Sequence, residues 1–460
     1  MVLIKPQLKE YYAKNCYKRR KPLQILPPRP NWHRHPQRFR MKLKNYQIYI
    51  FIFLLSILVT SLFLLVLPEN WKVNESSDYV AHYEPLARNL LSGNGYTKDG
   101  SDLETFYPPG FPLILAGLFG LANILNISEY FIISGANVIL TALSVVFLYF
   151  IANKYTNQKS AFIASLLWMT YPFLLWLTKQ PNSEIPFIFF LFAACNFFFG
   201  VSTFKKNKWI TLLTSGILLG GAILLRPIAV FFPIAMVATL FYIENQYSIK
   251  KRILLSGIFL IGVIGLILPW EIAVFLNTGK VVLISENSST SIRGGLVFAI
   301  RENTYKQEVT IPSDVKNLME EILINYDNFL DKGEITSFFI GKLIENPIPV
   351  IKLFGIKALR SWYATDRQSY ELYIILLQIP YIFMILMGSF LTWNNDKKSK
   401  KLLVGVWSIT FINWFIVIMV TSTLRYMVPV IGLLFILITF IPYHFLNKFQ
   451  LLRIKKEIAE

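Results

Sequence analysis

The apolar run "YQIYIFIFLLSILVTSLFLLVL", residues 46–67, decides the fold class of this chain. It carries no charged residue, and it is long enough for a helix to cross a bilayer, which takes about 20 apolar residues. It starts late and lacks an obvious small-residue cleavage site, so we expect a signal anchor rather than a cleaved signal peptide. The whole sequence is 54% hydrophobic and 16% charged, with a mean hydropathy of +0.48, which indicates a membrane protein.

Further apolar runs continue along the chain. Together with the first run they predict ten membrane spans, at residues 46–67, 129–152, 160–178, 185–204, 209–225, 228–243, 253–275, 370–393, 402–422 and 426–446. Two more apolar stretches, 111–127 and 347–363, do not fit the alternation, and we expect juxtamembrane or re-entrant segments there. The predicted fold class is an all-α polytopic membrane protein with about ten transmembrane helices and additional juxtamembrane helices.

The net charge of +19 is distributed as in a membrane protein rather than a nucleic-acid-binding protein. Residues 1–45 hold thirteen Lys and Arg residues and one acid. Other basic clusters fall in short loops on the same predicted side, at residues 205–208, 250–252, 397–401 and 448–456. Because positive loops face the cytoplasm, both termini are predicted to be cytoplasmic, and the chain divides into a basic segment 1–45, a membrane domain 46–446 and a basic tail 447–460.

Two large extracytoplasmic loops follow from this threading, at residues 68–128 and 276–369. Residues 276–346 hold ten acids and seven basic residues, unlike the cytoplasmic loops. The polar stretch "SENSSTSIRGG" within them predicts an ordered loop or lid rather than core. The sequence contains no Walker phosphate loop and no Rossmann glycine pattern, which argues against an ATP-driven pump or a nucleotide-sugar domain.

The first loop contains "SSDYVAHYEPLARNLLSGNGY", residues 76–96. Its spacing predicts an interfacial helix with Asp78, His82 and Asn89 near one face and leucines on the other. Asp78, or one of the two serines before it, is a candidate helix cap. The alternative is a catalytic base at the membrane surface, and the two roles are compatible.

Four further charged residues lie at span ends on the side opposite the basic loops: Lys179 and Glu184 in "TKQPNSEIP", Arg226 in "LLRPIAVFFP" and Arg425 in "TSTLRYMVP". Glu184 is either a solvated loop acid or a second acid facing a cavity. An arginine at an interface either snorkels or holds an anion. A guanidinium matches phosphate oxygens, so a lipid phosphate is the expected anion.

These stretches, in this order, resemble the C-type membrane glycosyltransferases. Within them the resemblance is to the group of the protein O-mannosyltransferases and the lipid A aminoarabinose transferase. It covers about residues 46–446 and depends mainly on "DYVAHYEPLARNLLSGNGY" and "YPPGFPLILAGLFG". It is supported by "TKQPNSEIPFIFF", "GGAILLRPIAVFFP" and "LRYMVPVIGLLF".

The resemblance implies transfer of a sugar from a polyprenyl-phosphate donor to a lipid, glycan or protein acceptor outside the cytoplasm. Asp78 would be the catalytic base and Glu184 a second active-site acid. Arg226 and Arg425, with Lys179 and His82 as weaker candidates, would bind the lipid phosphate or substrate. Tyr79 stands where the mannosyltransferases have the second acid of an Asp-Glu pair, which puts a protein acceptor in doubt.

The chemistry is consistent with these residue types, since a carboxylate can deprotonate an acceptor and fixed cations can stabilise a phosphate leaving group. Attack opposite the phosphate would invert the anomeric carbon. No cofactor is expected, although a divalent metal between Asp78 and Glu184 stays open.

The competing class is a transporter or flippase for a lipid-linked saccharide. No inverted repeat is visible, and the candidate charges lie at one face rather than at the midplane. The expected location is a bacterial inner membrane, with the site facing outward.

Overall fold

The computed structural model describes residues 35–68, 71, 78–201, 207–297, 311–325, 328–329, 332–446 and 448. Within this part of the chain the regular structure is helical, and no strand occurs. Most of the predicted basic N-terminal segment and basic tail lies outside the described residues. The division into these segments and the membrane domain therefore stays a prediction.

The helices are numbered here in chain order. The first half of the chain contains α1 (His35–Val66), α2 (Glu84–Leu91), α3 (Gly110–Leu125), α4 (Glu129–Tyr155), α5 (Gln158–Met169), α6 (Pro172–Thr178), α7 (Glu184–Gly200) and α8 (Lys208–Leu225). The second half contains α9 (Phe232–Ile243), α10 (Ile249–Thr278), α11 (Asn287–Gly295), α12 (Ser313–Ile324), α13 (Lys332–Glu345), α14 (Pro347–Arg360), α15 (Glu371–Trp393), α16 (Lys397–Met419) and α17 (Leu424–Ile438). A π-helical turn, Tyr79–Tyr83, precedes α2, and a 3-10 turn, Pro227–Phe231, precedes α9.

The all-α polytopic class predicted from hydropathy is confirmed, and the chain is an integral multi-pass membrane protein. Seven helices of the described chain are long and apolar enough to span a membrane, and the bent pair α5 and α6 would make an eighth. The remaining two predicted spans fall on shorter apolar helices, Glu184–Gly200 and Pro227–Ile243. The count of about ten spans is therefore not confirmed, although each predicted span overlaps helix within the described residues.

Side-chain size sets how closely the helices of the bundle pack. Helix α8 packs against α7 and α10, and α17 packs against α15 and α16. Gly216 of α8 faces Gly262 of α10, where an added Cβ would meet backbone of the neighbouring helix. Small residues permit such close approach between membrane helices. Many leucines and isoleucines of α1, α10 and α15 are exposed, as expected of surfaces that face lipid.

The loops predicted to be cytoplasmic meet at one end of the bundle. Lys398 donates to the carbonyl oxygen of Lys154 at 2.8 Å, and Lys401 in the same loop donates to the carbonyl oxygen of Ile243. Next to Ile243, Glu244 forms a buried ion pair with Lys208 at 2.5 Å. These loops therefore form one face, as the threading requires. The opposite face carries the first loop, the start of α7, the end of α8 and the turn between α16 and α17.

In the late loop, the polar stretch "SENSSTSIRGG", predicted as an ordered loop or lid, forms α11 over most of its length. Helices α12, α13 and α14 of the same loop enclose a core of their own, which includes Val315, Leu318, Met319 and Ile322. These four residues lie on one face of α12, because residues three and four apart adjoin on a helix. The apolar residues at this spacing, rather than the polar "SENSSTSIRGG" stretch, determine the local structure.

Candidate active site

Glu184 is the centre of a buried ion cluster at the face opposite the basic loops. It is the first residue of α7 and is 1% exposed. Its Oε1 lies 2.7 Å from Nη1 of Arg226 and accepts a hydrogen bond from Nε of Arg425 at 2.9 Å. A buried carboxylate is costly unless it is paired. Glu184 is therefore not a solvated loop acid.

Asn182 explains why α7 begins at Glu184. Its side-chain Oδ1 accepts hydrogen bonds from the backbone N–H groups of Glu184, at 3.1 Å, and Ile185, at 3.3 Å. Such a bond satisfies N–H groups that have no partner within the first turn of a helix. The short loop thus fixes the direction of the Glu184 side chain.

Arg226 reaches Glu184 because α8 ends beside a proline. A residue before proline is pushed out of the helical region, and Arg226 is extended, with φ −144° and ψ 112°. Arg226 is 9% exposed, and its Nη1 also donates to Oγ of Ser183 at 3.4 Å. The dipeptide Arg226-Pro227 therefore turns the guanidinium towards the start of α7 instead of continuing α8.

Arg425 completes the cluster from the first turn of α17. Its guanidinium Cζ lies 5.1 Å from the ring centroid of Tyr426, and that of Arg226 lies 4.7 Å from the same ring. Cations at such distances are attracted to an aromatic face. Arg425 also donates from Nη1 to Oδ2 of Asp366 at 3.1 Å. Its side chain is 27% exposed, so this end of the cluster is accessible.

Asp78 lies in the first loop at the start of the π-helical turn. Its side chain makes no capping hydrogen bond, whereas the hydroxyl of Tyr107 donates to Asp78 Oδ1 at 3.2 Å. The structure therefore does not support the capping alternative for Asp78, and the two serines before it lie outside the described residues. Its role as catalytic base stays a prediction.

Tyr83 is the last residue of the π-helical turn and packs against Tyr107. Burial raises the pKa of Tyr83, the Arg226 charge lowers it, and the charges of Asp78 and Glu184 raise it further. Burial raises the pKa of Tyr107 as well, and the charge of Asp78 adds to this effect. The ring centroids of Tyr83 and Tyr107 are 5.0 Å apart, so Tyr83 lies next to the tyrosine whose hydroxyl donates to Asp78.

The two weaker candidates lie in different surroundings. Lys179 donates to the carbonyl oxygen of Trp71 at 2.7 Å, with its Nζ 3.6 Å from the ring centroid of Trp176. Burial, together with the charge of Arg367, lowers the pKa of Lys179 to about 8. These contacts are with the two tryptophans rather than with Glu184, and its role in phosphate binding stays a prediction.

His82 packs in the first loop, with its ring centroid 4.5 Å from that of Tyr107. Its Nδ1 is buried and has no hydrogen-bond partner among the residues that the structure describes. Burial, with a contribution from Lys98, lowers the pKa of His82, which favours the neutral imidazole. A neutral His82 would bind substrate through hydrogen bonds rather than as a cation.

The acids of this site do not form a metal-binding set of the usual kind. In the described part of the chain, no group of three or more His, Cys, Asp or Glu residues is placed to hold a metal ion. Glu184 already accepts from two guanidinium groups. Its remaining capacity for a cation is correspondingly small.

Several residues of the site escaped prediction. Asp366 lies in an irregular turn, where no periodicity draws attention to a single acid. Tyr426 stands in the quoted "LRYMVP" stretch and Tyr107 in "YPPG", but a tyrosine near a span end is usual for an interfacial aromatic. Only the spatial arrangement distinguishes these two from the other interfacial rings.

Residues 107–270, less than half of the chain, match the family model described as dolichyl-phosphate-mannose-protein mannosyltransferase. A solved structure similar to the chain is the Archaeoglobus fulgidus oligosaccharyltransferase in its apo form, with 12% identity and a TM-score of 0.53. The archaeal oligosaccharyltransferase AglB of the same organism, in complex with an inhibitory peptide and a dolichol-phosphate, also has 12% identity, with a TM-score of 0.54. ArnT from Cupriavidus metallidurans, bound to undecaprenyl phosphate, has 11% identity and a TM-score of 0.41, with 85% of this chain and 76% of that chain covered. Among curated proteins no match was found.

The shared fold extends over nearly the whole of this chain. The alignments to the two archaeal structures cover 89% and 90% of it, but the chain spans only 52% of each of those proteins. The predicted resemblance is confirmed: the chain has the fold of the C-type membrane glycosyltransferases, and the segment that matches the mannosyltransferase model includes Tyr107, Glu184 and Arg226.

Proposed function

We propose that this protein is a membrane glycosyltransferase that takes a sugar from a polyprenyl-phosphate donor and passes it to a lipid, glycan or protein acceptor. One observation carries the proposal. Glu184 holds Arg226 and Arg425 side by side at the end of the bundle against which the first loop, the loop of Asp78, packs through Gly110. The arrangement combines fixed cations with a separate, partly exposed carboxylate.

The arginines are suited to the phosphate of the donor. Each guanidinium has several N–H donors, and Glu184 occupies only part of this set. Arg425 is partly exposed, so a phosphate arriving from the membrane surface can reach it. Glu184 orients both cations before the phosphate binds, which reduces the cost of organising the site. The presence of a dolichol-phosphate in the similar archaeal oligosaccharyltransferase supports this assignment.

Asp78 is suited to the role of catalytic base. Its carboxylate would take the proton of an acceptor hydroxyl or amine as the oxygen or nitrogen of that group bonds to the anomeric carbon. The bond from the anomeric carbon to the phosphate oxygen breaks, and the polyprenyl phosphate leaves with the electron pair. Arg226 and Arg425 stabilise the negative charge that develops on it. Attack from the side opposite the phosphate inverts the configuration.

The proposal also covers the donor sugar, the acceptor, the membrane and the need for a cofactor. The donor sugar is a hexose or a pentose, and Tyr79 after Asp78 favours a lipid or glycan acceptor over a protein. We place the site on the outer face of a bacterial inner membrane, because the basic loops lie at the opposite end. The two arginines supply the charge that a metal would otherwise supply, so the proposal includes no cofactor.

The test is sugar transfer in proteoliposomes with a panel of radiolabelled polyprenyl-phosphate sugars. We expect one donor to release its sugar to an acceptor and to leave the free polyprenyl phosphate. Leaflet-specific labelling in the same vesicles detects movement of an unaltered donor. Movement without release of polyprenyl phosphate, for every donor, would contradict the proposal and establish the flippase alternative.

A further inference from the structure

Lys357 of α14 is a buried lysine outside the site described above. It is 0% exposed, and its Nζ donates to the carbonyl oxygens of Gly295 and, at 3.0 Å, of Val420. Burial lowers the pKa of Lys357 to about 7. A neutral amine keeps two N–H donors, which matches two carbonyl acceptors. Both contacts therefore persist in either protonation state.

These two carbonyls belong to the ends of two helices. Gly295 is the last residue of α11 in the late loop, and Val420 follows the last residue of α16 in the membrane bundle. Carbonyl groups at the ends of helices lack partners within the helix. One side-chain nitrogen thus satisfies both ends and joins the late loop to the bundle.

Gly295 provides independent evidence that α11 is joined to the turn 420–423, a contact called the joint below. A Cβ added to Gly295 would lie 2.0 Å from the carbonyl oxygen of Val420 and 3.0 Å from the backbone nitrogen of Thr421. Real Cβ atoms do not approach other atoms so closely. The backbone of α11 therefore lies directly against the turn after α16, and only glycine fits there.

The turn after α16 leads straight to Arg425. It begins at Val420, and α17 begins at Leu424. The backbone N–H of Leu424 donates to the carbonyl oxygen of Ala364 at 2.9 Å, which holds the turn from a second side. The joint at Val420 is thus five residues away from the guanidinium that contacts Glu184.

We infer that Lys357 is a positioning residue, which fixes the turn 420–423 against α11 and so holds Arg425 in the ion cluster. The inference rests on the proposed role of Arg425 in binding the donor phosphate. It adds a coupling that the site itself does not reveal. The packing of the late loop sets the affinity for the donor.

Two substitutions open the joint from different sides. Lys357→Met removes both hydrogen bonds and keeps an unbranched apolar side chain, and Gly295→Ala inserts a methyl group at the contact. We expect each to raise the KM for the donor by about tenfold, the equivalent of losing one good contact to the phosphate. Loss of folded protein would lower the apparent kcat without this change in KM.

Matched controls lie elsewhere in the bundle. Lys208→Met removes a buried lysine at the opposite end, where it pairs with Glu244. Gly388→Ala inserts a methyl group 2.4 Å from the carbonyl oxygen of Leu437 and so imposes a similar clash between two other helices. Both controls should leave the donor KM unchanged in the protein that folds.

Amide hydrogen exchange in residues 421–426 gives a readout independent of activity. We expect faster exchange there in Lys357→Met and Gly295→Ala and not in the controls. If exchange in residues 421–426 is unchanged, Lys357 and Gly295 do not hold the turn 420–423 against α11. If exchange is faster but the donor KM is unchanged, the turn does not position Arg425 for the donor. A wild type that transfers no sugar would remove the proposed function, and the exchange data alone would then decide whether the joint exists.

Discussion

A single carboxylate serves two guanidinium groups at the centre of the site. Glu184, Arg226 and Arg425 come from three different helices or helix ends, and each was singled out by its charge at a span end. Their position on one face was predicted from their places at span ends, but the sequence indicated a lipid phosphate, and not Glu184, as the partner of the arginines. Which atoms would pair could not be predicted, because pairing depends on how the three helices pack.

Asp366 adds a fourth charge whose effect has a definite sign. Its Oδ2 accepts from Nη1 of Arg425, and its side chain is 44% exposed. A donor phosphate would use the same N–H group, so Asp366 competes with it. We predict that Asp366→Asn lowers the donor KM about threefold, since an exposed ion pair contributes up to about 1 kcal/mol. The measurement is transfer rate against donor concentration.

Asp314→Asn is the control for this prediction. Asp314 forms an exposed ion pair with Lys352 at 2.7 Å in the same late loop. Its substitution removes one negative charge without touching the cluster, so the donor KM should not change. A higher KM in Asp366→Asn would mean that Asp366 orients Arg425 instead of competing for it.

The site also depends on how the first loop is attached to α8. Gly110 begins α3 within the "YPPGFP" stretch, and a Cβ added there would lie 2.6 Å from the carbonyl oxygen of Leu224. Leu224 lies two residues before Arg226 in the chain. This contact explains the motif physically, because glycine lets the loop that carries Asp78 and Tyr107 approach the helix that carries Arg226.

Gly110→Ala should separate these two elements. We predict a fall in kcat of about tenfold, because the base and the leaving-group cations must hold a precise relative geometry. Gly117→Ala, in the same helix, adds a methyl group with no atom within 4 Å and should leave kcat unchanged. Equal activity of the two variants at equal folded yield would show that the Gly110 contact does not align the site.

Helix positions were largely predictable, and local geometry was not. Apolar runs predicted the long helices, with α1 starting earlier, at His35, than the run at residue 46 indicated. The π-helical turn Tyr79–Tyr83 was missed, because nothing in its composition distinguishes it from an ordinary first turn. In the late loop, α14 coincides with the predicted juxtamembrane stretch 347–363, whereas α11, α12 and α13 were missed.

At the scale of the whole molecule, the distribution of charge between the two ends of the bundle was the most informative pattern. Excess lysine predicted one face, and isolated charges predicted the other. The burial of Lys357 could not be predicted from this charge pattern. In the sequence it interrupts an apolar stretch, like Lys352, which lies on the surface. How the helices of the late loop pack determines that Lys357 is buried and that Lys352 is exposed.

We propose that Asp78 acts in transfer while Arg226 and Arg425 hold the donor. The most direct test measures polyprenyl-phosphate binding and sugar transfer in the same preparation of Asp78→Asn, beside wild type. Asp102→Asn, an exposed acid of the same loop, is the matched control. We predict donor binding within twofold of wild type and a loss of transfer of about a thousandfold or more, typical of removing a general base. Transfer at the wild-type rate in Asp78→Asn would contradict the assignment of Asp78 as the base.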